Sequence, residues 1–155
     1  MKPFEIDQTD RAILRELMRD GRLSNVALAE RVHLSASACL RRVGLLEEAG
    51  LIAGHVMLMD PAKAGLPGTA FILVTLDQQG RAALDTFEKA TARHPEIVEC
   101  YLLAGSADYM IRVVYRDAAD FERIHTDVLT QMPGVSRLQS TLALRTVKKT
   151  TRLPI

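Results

Sequence analysis

The sequence contains few of the residues that cross-link a chain or hold a metal ion. It has two cysteines, Cys39 and Cys100, and four histidines, and these six residues are scattered singly along the chain. They form neither a disulfide framework nor a set with the spacing of metal ligands. We therefore expect structural roles for all of them, and the sequence predicts no metal and no other cofactor.

The chain also lacks a long hydrophobic run. No apolar stretch approaches the ~18 residues that are needed to cross a bilayer, and residues 1–5 become polar too early for a signal peptide. Hydrophobic residues make up 48% of the 155 positions and charged residues 25%, which is typical of a globular protein with a packed core. These features predict a cytoplasmic protein without a membrane partner, made of one ordinary domain or two small ones.

Catalytic motifs are missing as well. The sequence shows no nucleophile with a neighbouring base, no glycine-rich phosphate loop and no cluster of metal ligands. An enzyme on the same scaffold is the alternative class, but the residues give it nothing with which to perform chemistry. We therefore predict a binding protein rather than an enzyme.

The net charge does not indicate a nucleic-acid partner, because it is only +1 at neutral pH. The distribution of charge is more informative. Between Arg31 and Arg42 the sequence places three arginines and no acidic residue. Positive charge is thus concentrated in one short segment of the N-terminal part.

Hydrophobic periodicity in the first fifty residues predicts three short helices. The first lies within residues 6–20, with Asp7 as its capping residue and Gly21 at its end. Ser24 precedes the second helix, and Ser35 precedes the third. A tight turn between the last two helices is typical of the helix-turn-helix, which binds double-stranded DNA.

After residue 50 the pattern becomes that of strands. A strand is predicted from Leu51 to Asp60, followed by a turn-rich hinge that ends at Gly68. The later elements read strand, helix, strand, strand, helix, strand, which is the ferredoxin-like βαββαβ order of an α+β fold. They are predicted at residues 70–76, 80–93, 97–104, 109–115, 118–131 and 135–147. Two helices on one face of a four-stranded sheet leave the other face without a cover, so we expect at least a dimer.

The third predicted helix presents a polar face. At 100° per residue, Cys39, Val43 and Leu46 mark its buried side, and Ser37 and Arg41 lie nearly opposite. These two side chains would face a major groove near the N-terminal half of the helix, where this motif contacts bases. An arginine there can pair with guanine or bind a phosphate.

Other residues near this helix are candidates for DNA contacts. Ser35, like Ser37, is suited to phosphates or base edges, and Arg31 and Arg42 are better placed for backbone phosphates. The alternative is a three-helix packing module with a solvated arginine face. The pattern alone favours neither interpretation.

Several segments resemble the Lrp/AsnC family, the leucine-responsive or feast/famine regulators. The similar segments are residues 6–14, 20–32, 34–43 and 46–52, the turn Gly105-Ser106-Ala107-Asp108-Tyr109, which is similar to G-x-x-D-Y, and a Lys-Thr-Thr-x-Leu-Pro ending. Each motif is weak alone. Together they follow the order of the family across essentially the whole chain, which makes the resemblance specific.

The resemblance implies a winged-type DNA-binding domain joined by a strand and hinge to a ferredoxin-like effector domain, often called the RAM domain. The helix-turn-helix domain then occupies residues 1–52, the strand and hinge linker 53–68, and the effector-binding and oligomerisation domain 69–155. Family members form dimers, which commonly assemble into tetramers or octamers, and many bind amino acids or related metabolites between dimers. The implied partners are double-stranded DNA, a small amino-acid-like effector and further copies of this chain.

The resemblance also places the effector near the G-x-x-D-Y turn. It singles out Gly105, Asp108 and Tyr109, with neighbours Leu103, Ala104, Ser106 and Ala107. Physically, Gly105 would allow a positive φ and a close approach of the backbone, exposed amides could hold a carboxylate, and Asp108 could meet an α-ammonium group. The alternative is that these are simply the residues that tight turns use.

The predicted function is sequence-specific DNA binding that regulates transcription and is tuned by an amino-acid-like effector at an inter-subunit site. The alternative is an architectural DNA-binding or assembly protein that has no small-molecule ligand.

Overall fold

The computed structural model describes residues 5–155. Residues 1–4, which begin the predicted N-terminal domain and on which the signal-peptide prediction depends, lie outside this part. The chain forms two compact units: residues 5–58 together with Lys148–Ile155, and Met59–Val147. No helix within residues 5–155 is long and apolar enough to cross a membrane.

Three helices form the first unit, as the sequence predicted. They are α1 (Gln8–Arg19), α2 (Asn25–Arg31) and α3 (Ala36–Glu48). Each helix follows its predicted capping residue, Asp7, Ser24 or Ser35. The side-chain oxygen of each cap accepts a hydrogen bond from a backbone N–H in the first turn, which would otherwise have no partner.

A small apolar core holds the three helices together. Its buried members are Ile13, Leu14, Leu28, Ala29, Cys39 and Leu46. They lie on one side of each helix, so packing these sides together leaves the opposite sides in solvent. Cys39 and Leu46 therefore define which side of α3 is buried.

The turn between α2 and α3 has a well-defined hydrogen-bonded form. His33 adopts a left-handed φ of 56°. The Leu34 N–H donates to the Ala29 carbonyl at 2.9 Å, and the His33 N–H donates to the Glu30 carbonyl at 3.3 Å. This pair of bonds is the Schellman motif, which ends a helix abruptly. It allows α3 to begin only a few residues after α2.

The segment after α3 differs from the prediction. We predicted a strand from Leu51 to Asp60 that leads into the linker 53–68, but no described residue between α3 and Gly68 belongs to a strand. A strand requires a neighbouring strand for its backbone hydrogen bonds, and none of the described segments pairs with this one. Four consecutive apolar side chains are left exposed: Val56, Met57, Leu58 and Met59.

The C-terminal segment packs with the first unit. We predicted an effector domain over residues 69–155, and the last residues of that range, Lys148–Ile155, lie in the first compact unit. Ile155 packs against the apolar core of that unit, and its main-chain oxygen accepts a hydrogen bond from Arg15 Nε at 2.6 Å. The burial of Ile155 and its hydrogen bond to Arg15, which is distant in sequence, thus attach this segment to the first unit.

The second unit has the predicted βαββαβ order. Its elements are β1 (Gly68–Leu76), α4 (Arg81–Thr91), β2 (Ile97–Leu102), β3 (Tyr109–Tyr115), α5 (Ala118–Arg123) and β4 (Val135–Leu142). The helix predicted over 118–131 is divided, because a π-helical turn at Ile124–Val128 and a 3-10 turn at Leu129–Gln131 follow α5. These turns keep Ile124, Val128 and Leu129 buried in the core.

The four strands form one antiparallel sheet in the order β2-β3-β1-β4. Side chains alternate between its two faces. On β1, Ile72 and Val74 are buried in the same core as Phe87 of α4, so the helices cover this face. Phe71 and Leu73 lie on the other face, here called the open face. The prediction of a single sheet with helices on one side is confirmed.

Candidate DNA interface and effector site

The outer face of α3 is the candidate DNA interface. Ser37 and Arg41 are exposed there, opposite the buried Cys39 and Leu46, as predicted. Within residues 5–155 the Arg41 guanidinium makes no ion pair. The hydroxyl of Ser35 accepts a hydrogen bond from the Ala38 N–H at 3.2 Å and lies 3.3 Å from the Ser37 hydroxyl. Two hydroxyls and one available cation thus lie together.

Arg42, which we predicted as a phosphate contact, is bound within the fold. Its Nη1 lies 2.8 Å from Asp7 Oδ2 and 2.7 Å from Asp10 Oδ1, and Asp10 is buried. A hydrogen bond from the Asp10 N–H, together with the Arg42 guanidinium, lowers the pKa of Asp7. The Asp10 and Asp7 carboxylates in turn raise the pKa of Arg42. This cluster joins α3 to the beginning of α1.

Arg31, the other predicted phosphate contact, has a weaker attachment. Its Nη1 lies 3.1 Å from Glu16 Oε2, and the other Glu16 oxygen binds Arg19 at 2.6 Å. Both arginine side chains are about half exposed. Pairs of this kind contribute at most about 1 kcal/mol to stability, so Arg31 can exchange Glu16 for a phosphate at little cost.

The predicted effector segment, residues 103–109, divides into exposed and buried parts. Ala104, Gly105 and Ser106 are exposed, and Leu103 is half-buried. Gly105 does not have the positive φ that we expected. A Cβ atom at this position would meet no other atom within 4 Å, so no contact among the described residues requires glycine there.

Asp108 fixes the end of this turn to β1. Its Oδ2 accepts a hydrogen bond from the Leu76 N–H at 2.7 Å, and its Oδ1 accepts one from Gln79 Nε2 at 2.8 Å. The Asp108 N–H donates to the Val74 carbonyl at 2.9 Å. Both carboxylate oxygens are therefore engaged, and an α-ammonium group would have to share them.

Tyr109 is fully buried, and Ala107 is largely buried but borders the depression described below. The Tyr109 ring centroid lies 4.6 Å from that of Phe87, and its hydroxyl donates to Glu88 Oε1 at 2.9 Å. Burial, and the Glu88 carboxylate that accepts this hydrogen bond, raise the pKa of the Tyr109 hydroxyl. Tyr109 therefore attaches the turn to α4 and has no free side-chain surface for an effector.

A polar depression beside the turn contains residues that the sequence analysis missed. It has a volume of about 60 Å³ and is lined by Leu73, Thr75, Ser106, Ala107, Arg137 and Gln139. Arg137 lies opposite Thr75 in the pairing of β1 with β4, and its guanidinium makes no ion pair within residues 5–155. The register of distant strands creates this site, and local sequence patterns carry no signal for that register.

Two family models match the chain. Residues 6–53 match a winged helix-turn-helix DNA-binding family, and residues 69–153 match the Lrp/AsnC ligand binding domain. Together with the helix-turn-helix and the ferredoxin-like unit, these matches define a class: a DNA-binding transcriptional regulator that carries a ligand-binding domain.

Similar proteins cover almost the whole chain. The leucine-responsive regulatory protein of Rhizobium meliloti is 39% identical over 151 residues, which are 97% of each chain. Transcriptional regulator AzlB of Bacillus subtilis is 37% identical over 150 residues, 97% of this chain and 96% of AzlB. The crystal structure of a Neisseria meningitidis transcriptional regulator in complex with L-methionine has a TM-score of 0.92 and 37% identity, and the match covers 97% of both chains. The chain belongs to the Lrp/AsnC family of transcriptional regulators, as its motifs predicted.

Proposed function

We propose that α3 enters the major groove of double-stranded DNA and that Ser37 and Arg41 contact base edges there. The observation that carries the proposal is the state of Arg41: it is exposed on the outer face of α3, whereas Arg31 and Arg42 are paired with carboxylates. Ser35 lies at the N-terminus of α3, where phosphates bind favourably, and Arg31 serves as a second phosphate contact. Arg42 binds Asp7 and Asp10 and thereby stabilises the fold instead of contacting DNA.

Substitution of Arg41 tests this docking. We expect Arg41→Ala to weaken binding to a duplex from the protein's own promoter by roughly ten- to hundredfold and to relax base preference at one position. Arg41→Lys keeps the positive charge but loses the planar guanidinium, which can donate two parallel hydrogen bonds to one base. This variant should therefore retain the attraction to phosphates and lose the base preference. Fluorescence anisotropy with systematically altered duplexes measures both effects. Unchanged affinity and preference in Arg41→Ala would remove α3 from the interface.

Arg31→Ala is the matched control. A phosphate contact contributes equally to binding of every DNA sequence. Its loss should therefore weaken binding uniformly and reduce the slope of log affinity against log salt concentration by about one.

We propose that a dimer presents two α3 helices to a pseudo-palindromic site. The half-sites would then lie one helical turn, roughly 34 Å, apart or a multiple of that distance.

We propose further that an amino-acid-like effector binds beside the exposed part of the 103–109 turn and tunes DNA binding. Support comes from the polar depression next to Ser106, where the exposed guanidinium of Arg137 suits an α-carboxylate. The related Neisseria meningitidis regulator was crystallised with L-methionine, which is a ligand of this class. Asp108 and Tyr109 act indirectly, because they hold the turn in place.

The effector site is completed by a second copy in this proposal. A depression of about 60 Å³ accepts a carboxylate and a few further atoms, whereas sites that enclose a small molecule have roughly 300–1,000 Å³. The remainder of the effector therefore needs a cover that one chain does not supply. Gly105 fits this arrangement, since the space around its Cα is open.

Thermal unfolding with each of the twenty amino acids tests the effector proposal. A ligand that binds only the folded protein must raise the melting temperature, and we expect this for one or a few amino acids. Arg137→Gln should abolish the rise while the melting temperature without ligand stays close to the original. Arg93→Gln, an exposed arginine at the end of α4, is the control and should keep the rise.

The alternative is an architectural DNA-binding or assembly protein with no small-molecule ligand. It is favoured if no amino acid, related amine or keto acid raises the melting temperature. We propose that the chain works in the cytoplasm and performs no catalysis, in keeping with its relatives, which are regulators.

A further inference from the structure

Leu40 is an apolar residue on the exposed surface of α3. Its side chain is 62% exposed, and it borders a shallow depression on the same unit together with Leu23 and Val43. A single exposed leucine is ordinary on a protein surface. Leu40 differs from such residues because it lies beside the proposed base contacts, Ser37 and Arg41.

Leu40 belongs to the same stripe of α3 as the proposed base contacts. Ser37, Leu40, Arg41 and Gly44 are spaced i, i+3, i+4 and i+7, so they follow one another along one side of the helix. Homeodomains, another helix-turn-helix class, place their base-contacting residues on the reading helix at this same spacing. Because Leu40 and Arg41 are consecutive, their side chains would reach the same or neighbouring base pairs.

The major groove offers one apolar group to such a side chain, the C5 methyl group of thymine. Against any polar base edge, a leucine would displace water without replacing its hydrogen bonds. We infer that Leu40 packs against a thymine methyl group and selects thymine beside the base pair that Arg41 contacts. This inference rests on the proposed docking of α3.

Replacing thymine by uracil tests the contact without altering the protein. The exchange removes only the C5 methyl group and leaves base pairing intact. With the unmodified full-length protein, uracil at one thymine in each half-site should weaken binding by roughly fourfold per half-site, and the other thymines should be insensitive. If every uracil duplex binds as tightly as the thymine duplex, the inference is overturned whatever the variants do.

Leu40→Ala then assigns the effect to this residue. It should bind the thymine duplex more weakly than the unmodified protein, and it should no longer distinguish uracil from thymine at the sensitive position. Val26→Ala is the control, because Val26 is an exposed apolar residue of the same unit, 59% exposed, and lies on α2 rather than on α3. It should keep the full sensitivity to uracil.

The outcomes separate this inference from the proposed docking. If Arg41→Ala impairs binding while Leu40→Ala keeps the sensitivity to uracil, α3 docks as proposed but Leu40 does not read thymine. Leu40→Ala could instead lose the same factor of affinity for the thymine and the uracil duplex, so that the preference for thymine persists. That result would show that Leu40 acts through packing within the protein, and it would also overturn the inference. If neither variant affects binding, the docking itself is wrong.

Discussion

Arg41 and Arg42 are neighbours in the sequence, yet the structure gives them different surroundings. One step along a helix turns the side chain by about 100°, so Arg42 lies against Asp7 and Asp10 while Arg41 is exposed. Arg42 can leave these carboxylates only at the cost of a buried, uncompensated charge at Asp10. The three arginines of the basic segment thus differ: Arg41 is exposed, Arg31 forms a surface pair with Glu16, and Arg42 binds two carboxylates within the fold.

Arg42→Ala is expected to destabilise the first unit by about 1–3 kcal/mol, because the buried Asp10 carboxylate loses a charged hydrogen-bond partner. Urea unfolding followed by circular dichroism measures this loss. Arg41→Ala is the control: it removes an exposed arginine that makes no ion pair within residues 5–155, and it should change stability by less than about 0.5 kcal/mol.

The same variant also separates folding from DNA binding. At a temperature where Arg42→Ala remains folded, its affinity for DNA and the salt slope should match those of the original protein. A salt slope reduced by about one would instead restore Arg42 as a phosphate contact.

At the scale of single elements, the G-x-x-D-Y turn is held by its last two residues. Asp108 binds the end of β1 through Leu76 and Gln79, and Tyr109 binds α4 through Glu88. Turn composition predicts that a turn forms, but these partners come from other elements. The motif thus preserves the position of an exposed segment, Ala104 to Ser106, whose own side chains are small.

The start of α5 is fixed by a cluster of charges around Asp120. Arg116 donates to both carboxylate oxygens, at 3.2 Å each, and Arg123 adds a bond of 2.9 Å. These hydrogen bonds, with that of Arg116 first, lower the pKa of Asp120 well below its ordinary value of 3.8. The cluster therefore stabilises the folded state above about pH 4 and loses this effect as the pH falls through the lowered pKa.

Asp120→Asn should destabilise the second unit at neutral pH, and the difference from the original protein should shrink as the pH falls below about 4. Urea unfolding at pH 7 and in acid measures this difference. Asp85→Asn, which removes an exposed aspartate on α4, is the control. A difference that stays constant with pH would show that the Asp120 carboxylate does not carry the effect.

At the scale of the whole molecule, the open face of the sheet is the surface that a second copy would cover. Phe71 is 37% exposed and Tyr101 49% exposed, and the strand register places both side chains on this open face. Apolar side chains on an uncovered sheet face favour association. These apolar side chains thus remain exposed within the described part of the chain, in keeping with the proposed homo-oligomer.

Phe71→Glu should prevent association through this face, because it places a charge where an apolar contact is expected. The exposed position should let the chain keep its fold, which circular dichroism verifies. Light scattering coupled to size-exclusion chromatography would then report a lower mass than that of the original protein. Val26→Glu, a change on α2, should leave the mass unaltered, and an unchanged mass for Phe71→Glu would assign assembly to another surface.

Local sequence features predicted most of the fold. Asp7, Ser24 and Ser35 cap the three helices as expected, because a cap is a contact between residues three positions apart. The prediction of a strand from Leu51 to Asp60 was wrong, because the hydrogen bonds of a strand, unlike those of a helix cap, depend on a distant partner strand. The family followed from motifs in the sequence, and the fold and the comparisons confirm it.

Sequence patterns were enough to predict the three N-terminal helices with their caps, the βαββαβ order of the second unit, and the polar side of α3. These features depend on contacts within one or two helical turns or on the alternation of a strand. Which groups are available for binding became visible only from contacts between distant parts of the chain. Asp7 and Arg42 are 35 positions apart, and Asp108 is 32 positions from Leu76. No local pattern could therefore show that these charges are already engaged, whereas Arg41 and Arg137 form no ion pair within residues 5–155.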